Sequence, residues 1–88
     1  MDASPSYRYE FTSKSAKQLQ KLPKDIQKRI IAKLDEYCQV NPSDHAERLI
    51  DFRLGEFRFR IGEWRVIFDL EDTTLVILKV GHRRDIYR

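Results

Sequence analysis

The stretch EFRFRIGEWRVIF, residues 56–68, constrains the fold more than any other part of the chain. Apolar and charged residues alternate on both sides of Gly62-Glu63, the pattern of two antiparallel strands joined by a two-residue turn. A turn of that length pairs Ile61 with Trp64 and Arg60 with Arg65. Parity then sends Phe57, Phe59, Ile61, Trp64, Val66 and Phe68 to one face, and Arg58, Arg60, Arg65 and Ile67 to the other. Like charges directly across a strand pair destabilise it, by about 0.2–1 kcal/mol. Folding alone therefore gives no reason to gather three arginines in one small area, and an anion does.

The rest of the chain must cover the apolar face. YRYEF alternates Tyr7, Tyr9 and Phe11 with Arg8 and Glu10 and reads as a first strand. Thr12 or Ser13 can cap a short helix through KSAKQLQKL, with Ala16 and Leu19 on one face, ending near Leu22. Pro23 suits the first turn of a second helix, whose stripe is Ile26, Ile30, Leu34 and Tyr37, widened by Ile31 and Cys38. Asn41-Pro42 stops it.

Residues 43–55 read as a loop with a short extended piece around Leu49–Phe52. Strands are expected at Phe57–Ile61, Trp64–Leu70 and Leu75–Gly81. The order strand, two helices, then three to four strands describes an α+β chain, with the helical hairpin on one face of a mostly antiparallel sheet. The first strand needs a partner in that sheet, and the last strand is a candidate. Lys79 and Arg83 join the arginine face if an odd loop aligns Val76, Leu78 and Val80 with the core. A two-residue loop would instead turn Lys79 inward, against the habit of lysines.

Eighty-eight residues form a single domain, 1–88, with 41% hydrophobic and 35% charged residues. The formal net charge is +3, and the excess concentrates at the end, where Lys79, Arg83, Arg84 and Arg88 stand against Asp85 alone. The lone Cys38 rules out an internal disulfide and a cysteine-based metal cluster; no metal or other cofactor is implied. With no leader-like segment and no apolar run of about 20 residues, a membrane role is not expected and the cytoplasm is the expected location. Glu56, Glu63 and Asp69 are the acidic residues near the arginines, and by position they match the central ones poorly.

FRFRIGEWRVIF followed by LKVGHRRDIYR resembles the RelE/ParE superfamily of bacterial and archaeal toxins, and the opening YEFTSKSAKQLQKLP and the second helix extend the likeness over nearly the whole chain. The resemblance implies a RelE-like β-α-α-β-β-β fold and a toxin held inactive by a cognate antitoxin. RelE-type members are ribosome-dependent endoribonucleases that cut messenger RNA in the ribosomal A site; such a cut needs no metal if the RNA's own 2′-OH attacks the adjacent phosphorus and protein groups move the protons. ParE-type members inhibit DNA gyrase and lack the nuclease residues. The RelE set maps here onto Arg58 and Arg60, Arg65, Arg83 and Tyr87. The strand pair is Arg-Arg where the familiar form has lysines, which keeps the charge and changes the donor geometry. The chain also ends one residue after Tyr87, without the C-terminal helix that some relatives carry.

On this reading Arg58 and Arg60, with Lys79 and Arg84, bind RNA phosphates. Arg65 stands nearest the transition-state charge and Arg83 faces the leaving oxygen. Tyr87 is the preferred general base, since surrounding guanidiniums favour a phenolate. His82 is a competing base, but alternation from Val80 points it to the helical side unless a bulge at Gly81 reverses it. Trp64 and Tyr37 read as core rather than as base-stacking platforms, and His45 as a surface residue. Lys21, Lys24 and Lys28, with the other helical lysines, form a solvated face that ribosomal RNA could meet.

Overall fold

The computed structural model describes residues 7–87; Arg88, counted above in the basic tail, lies outside them. Strand β1 (Arg8–Phe11) leads into helix α1 (Ser13–Gln20), helix α2 (Lys24–Gln39) and a 3-10 turn (Pro42–Asp44). Four strands follow: β2 (Ala46–Arg48), β3 (Phe57–Ile61), β4 (Trp64–Glu71) and β5 (Thr74–His82). The sheet order is β1-β5-β4-β3-β2, antiparallel except where β1 lies parallel to β5. The α+β architecture is the one expected.

The helices form where the sequence supplies their ends. Thr12 caps α1, its side-chain oxygen accepting from the Ser15 amide at 3.1 Å. Pro23 sits at the N-cap of α2 rather than inside its first turn, and its carbonyl accepts from the Ile26 and Gln27 amides. Ser15 is buried on the sheet side of α1, and its hydroxyl donates to the Ile77 carbonyl at 2.7 Å. Ile30, Leu34, Tyr37 and Cys38 of α2 close over a sheet face of Phe59, Ile61, Val66, Phe68, Leu75, Ile77 and Val80. Phe57, Trp64, Tyr9 and Phe11 pack at its margin, so the expected parity of the β3-β4 hairpin holds.

Two expectations are corrected. The extended piece lies at Ala46–Arg48, not at Leu49–Phe52; it pairs with β3, Glu47 facing Arg58, and Ile50 and Phe52 are left exposed beyond it. In the second hairpin Glu71 pairs with Thr74, so the loop is two residues, yet Lys79 does not turn inward. Phe68 pairs with Ile77 and Ile67 with Lys79, so Leu78 is an extra residue, and this bulge reverses the parity of β5 midway. Leu75 and Ile77 therefore enter the core before the bulge and Val80 after it, in place of the expected Val76, Leu78 and Val80.

Candidate functional site

Strand register arranges the face opposite the helices as rows. One row runs Glu47, Arg58, Ile67, Lys79 across β2 to β5, and the next runs Arg60, Arg65, Gly81. That face is not bare, because two short segments fold over parts of it. Ile67 is fully buried although it points away from the main cluster. The segment before β3 covers it: Gly55 has φ +145°, and a Cβ there would stand 2.6 Å from Ile67 Cγ2 and 3.1 Å from Leu78 Cδ1. Only a glycine permits both that backbone conformation and that approach. Glu56 and Asp69 are used to hold this cover, not to pair with arginines. The Asp69 carboxylate accepts from the Glu56 amide at 2.9 Å, and the Glu56 carboxylate accepts from the Leu70 amide at 3.0 Å.

The second cover is the C-terminal turn. The Asp85 and Ile86 amides donate to the His82 carbonyl, and the Arg83 amide donates to the Glu63 carbonyl at 2.8 Å. The turn places Ile86, only 2% exposed, against Gly81, its Cδ1 3.5 Å from where a Cβ would be. Tyr87 then reaches back over β3, where Arg58 Nη1 donates to its hydroxyl and the guanidinium lies 5.8 Å from the ring centre.

Between the two covers the guanidiniums converge. Arg65 is 6% exposed, and its Nη1 donates to the Gly62 and Trp64 carbonyls, each at 2.9 Å. Burial pushes its pKa below the ordinary arginine value, and Arg60, Arg58 and Arg83 push the same way while Tyr87 opposes them. The bond to Tyr87 foremost, and Glu47 after it, hold Arg58 above its ordinary value. Arg83 pairs with Glu63 at 3.1 Å.

Glu47 corrects the expectation that the central arginines lack acidic partners. Its Oε1 accepts from Arg58 Nε at 3.2 Å and stands 3.8 Å from Arg60 Nε. The sequence reading missed it because β2 is three residues long, too short for alternation to show. The same reading missed Ile86, whose role depends on the path of the final turn.

The remaining sequence-derived residues are distributed as follows. Lys79 lies on the arginine face opposite Ile67, whereas Arg84 is exposed and is not among the groups acting on Arg65. His82 pairs with Trp64, edge-on at 5.2 Å, and its Nδ1 accepts from the Arg84 amide, so it belongs to the helical side as alternation required. His45 is exposed but stacks on Tyr37 at 4.2 Å. Lys21, Lys24 and Lys28 are exposed on the helical side, away from the arginine rows, Lys28 lining a groove of about 370 Å³ with Leu19, Gln27, Ile31, Ala32 and Asp35. No helix among the described residues is long and apolar enough to cross a membrane.

A two-helix layer on one face of a small sheet, with an arginine cluster and a tyrosine on the other, defines a small α+β protein with a concentrated cationic surface. The family model described as the ParE toxin of type II toxin-antitoxin systems matches residues 9–87. Toxin RelG of Mycobacterium tuberculosis is 35% identical, covering 93% of this chain and 97% of its own. The toxin-antitoxin complex RelBE2 of the same species contains a chain that superposes with a TM-score of 0.79 at 29% identity, covering 90% of this chain and all of that one. A chain of the archaeal RelE-RelB complex of Pyrococcus horikoshii superposes with a TM-score of 0.69 at 25% identity, covering 92% and 99%. The chain belongs to the RelE/ParE family of toxins from toxin-antitoxin systems.

Proposed function

We propose that this toxin is a ribosome-dependent endoribonuclease that cuts messenger RNA in the A site and is neutralised by a cognate antitoxin. The observation that carries the reading is the meeting of Arg58, Arg60, Arg65, Arg83 and Tyr87 on one sheet face. In the proposed reaction the 2′-oxygen attacks the neighbouring phosphorus, its proton passes to a base, and the 5′-oxygen leaves with a proton. Arg58 and Arg60 grip the non-bridging oxygens once the phosphate displaces Glu47 from them. Arg65, already freed of bulk water and braced by two carbonyls, faces the charge that grows on the phosphorane. Tyr87, drawn to Arg58, takes the 2′ proton. Arg83 stabilises the leaving oxygen electrostatically while water supplies the proton. Lys79 and Arg84 add attraction for the strand, and Lys21, Lys24 and Lys28 dock on ribosomal RNA. The RelBE2 and RelE-RelB complexes support an antitoxin as partner.

The matching family model, named for ParE, favours one alternative: inhibition of DNA gyrase. Primer extension on translated messages separates the two. The wild type should give A-site cuts, Arg65→Ala should reduce their rate roughly 10²–10³-fold, and Tyr87→Phe should slow cutting while toxin still binds ribosomes. DNA-damage signalling without cuts would establish the gyrase reading instead, and harmless expression would leave an inactive antitoxin-binding module.

A further inference from the structure

The Gly62-Glu63 turn draws in more cations than the reaction uses. Gly62 has φ +61°, and a Cβ there would lie 2.7 Å from Arg29 Nη2 and 3.1 Å from its Cζ. The guanidinium of Arg29 thus reaches from α2 to the tip of the β3-β4 hairpin. Arg65 reaches the same turn from the opposite face through the Gly62 carbonyl, and Arg83 reaches it through the carbonyl and carboxylate of Glu63.

Three guanidiniums meet at a turn that carries one carboxylate, and Glu63 is taken by Arg83. The carbonyl oxygens of Gly62 and Glu63 accept from Arg65 and Arg83. Among the described residues Arg29 is paired with no carboxylate. It is an exposed cation held beside a turn that offers it no acidic partner. Such a fork suits a phosphate, which it can bind through two parallel N–H donors. The turn also lies at the end of the sheet, where the arginine face meets the helical face. Arg83, at the edge of the arginine rows, is in direct contact with this turn.

We infer that the Gly62-Glu63 turn, with Arg29 as its principal donor, is a second phosphate-binding position for the RNA strand whose neighbouring phosphate sits at Arg58, Arg60 and Arg65. The inference rests on the ribonuclease reading and adds a contact one or more nucleotides from the cut.

The test is single-turnover cleavage on programmed ribosomes, using messages with one charge-neutral methylphosphonate placed at successive positions around the cut. For wild type, one flanking position should slow cleavage roughly threefold when neutralised, the scale of an exposed ion contact. Arg29→Gln should be slower by a similar factor on the unmodified message and insensitive to that position, while Arg29→Lys should recover part of the sensitivity. A rate loss in Arg29→Gln that leaves the position-specific effect intact would mean a structural role and overturn the proposal. Unchanged cleavage together with weakened antitoxin binding would overturn it in favour of an acidic protein segment. A wild type that cuts nothing would overturn the ribonuclease reading itself, whereas cutting abolished by Arg65→Ala with no position coupled to Arg29 would overturn only the second site.

Discussion

On the face that meets the helices, cross-strand rows such as Ala46, Phe59, Val66, Val80 and Phe57, Phe68, Ile77, Phe11 are apolar from one strand to the next. On the other face the rows mix Glu47, Arg58, Ile67 and Lys79, or Arg60, Arg65 and Gly81, and two short covers replace a helical layer. The first face is held by area removed from water. The second is held by small apolar contacts at its margins, with charge kept between them. A guanidinium can be buried there because backbone carbonyls satisfy it, which removes the penalty that would follow a bare charge.

Substitutions can break or sharpen this contrast. The largest expected effect is on the helical face: Phe59→Ala, emptying a fully buried ring site, should destabilise by about 3–5 kcal/mol in urea unfolding. Ile67→Ala tests whether the second face has a core of its own, with an expected loss of about 2–5 kcal/mol. A loss below about 0.5 kcal/mol, as for an ordinary surface site, would show that the Gly55 cover contributes nothing.

Glu47→Gln removes one negative charge from Arg58 and Arg60, so oligonucleotide or inorganic phosphate binding should strengthen a few-fold, most at low salt. Stability should change little, since the pair it breaks is partly exposed. Weaker anion binding would mean that Glu47 orients the arginines more than it competes for them.

The smallest effect lies at the outer margin of the helical face, where the Tyr9 hydroxyl donates to Asp35 at 2.7 Å. Burial first, and then Asp35, push the Tyr9 pKa up to about 12 from 10.0. Because the folded value is the higher one, its contribution is complete below pH 10 and is lost as pH rises through about 12. The loss should be about 1 kcal/mol or less after solvent screening. Tyr9→Phe should flatten that part of the stability-pH curve.

Legibility followed the length of each repeating pattern. The β3-β4 hairpin could be read to the residue because ten side chains alternate around a glycine turn, and its parity placed Arg58, Arg60 and Arg65 together. The α2 stripe was readable for the same reason. Residues 43–55 were not: β2 offers three residues, so Glu47 had no pattern to betray it, and the covering role of Gly55 depends on Ile67 and Leu78, remote in sequence. The bulge at Leu78 was also hidden, since a β-bulge is decided by what the neighbouring strand and the two faces accept.

Local alternation, capping residues and turn chemistry, all acting within a few residues, determined from the chain alone the order of elements, the inward set of β3 and β4 and the gathering of arginines on one side. Tertiary packing decided how those charges are compensated: Arg58 and Arg60 with Glu47, Arg65 with two carbonyls, Arg83 with Glu63, and Tyr87 brought onto Arg58 by the turn that anchors Ile86. Each of those partners except the carbonyls beside Arg65 comes from a different element, and which distant groups meet depends on register and on the covers that fold over the sheet.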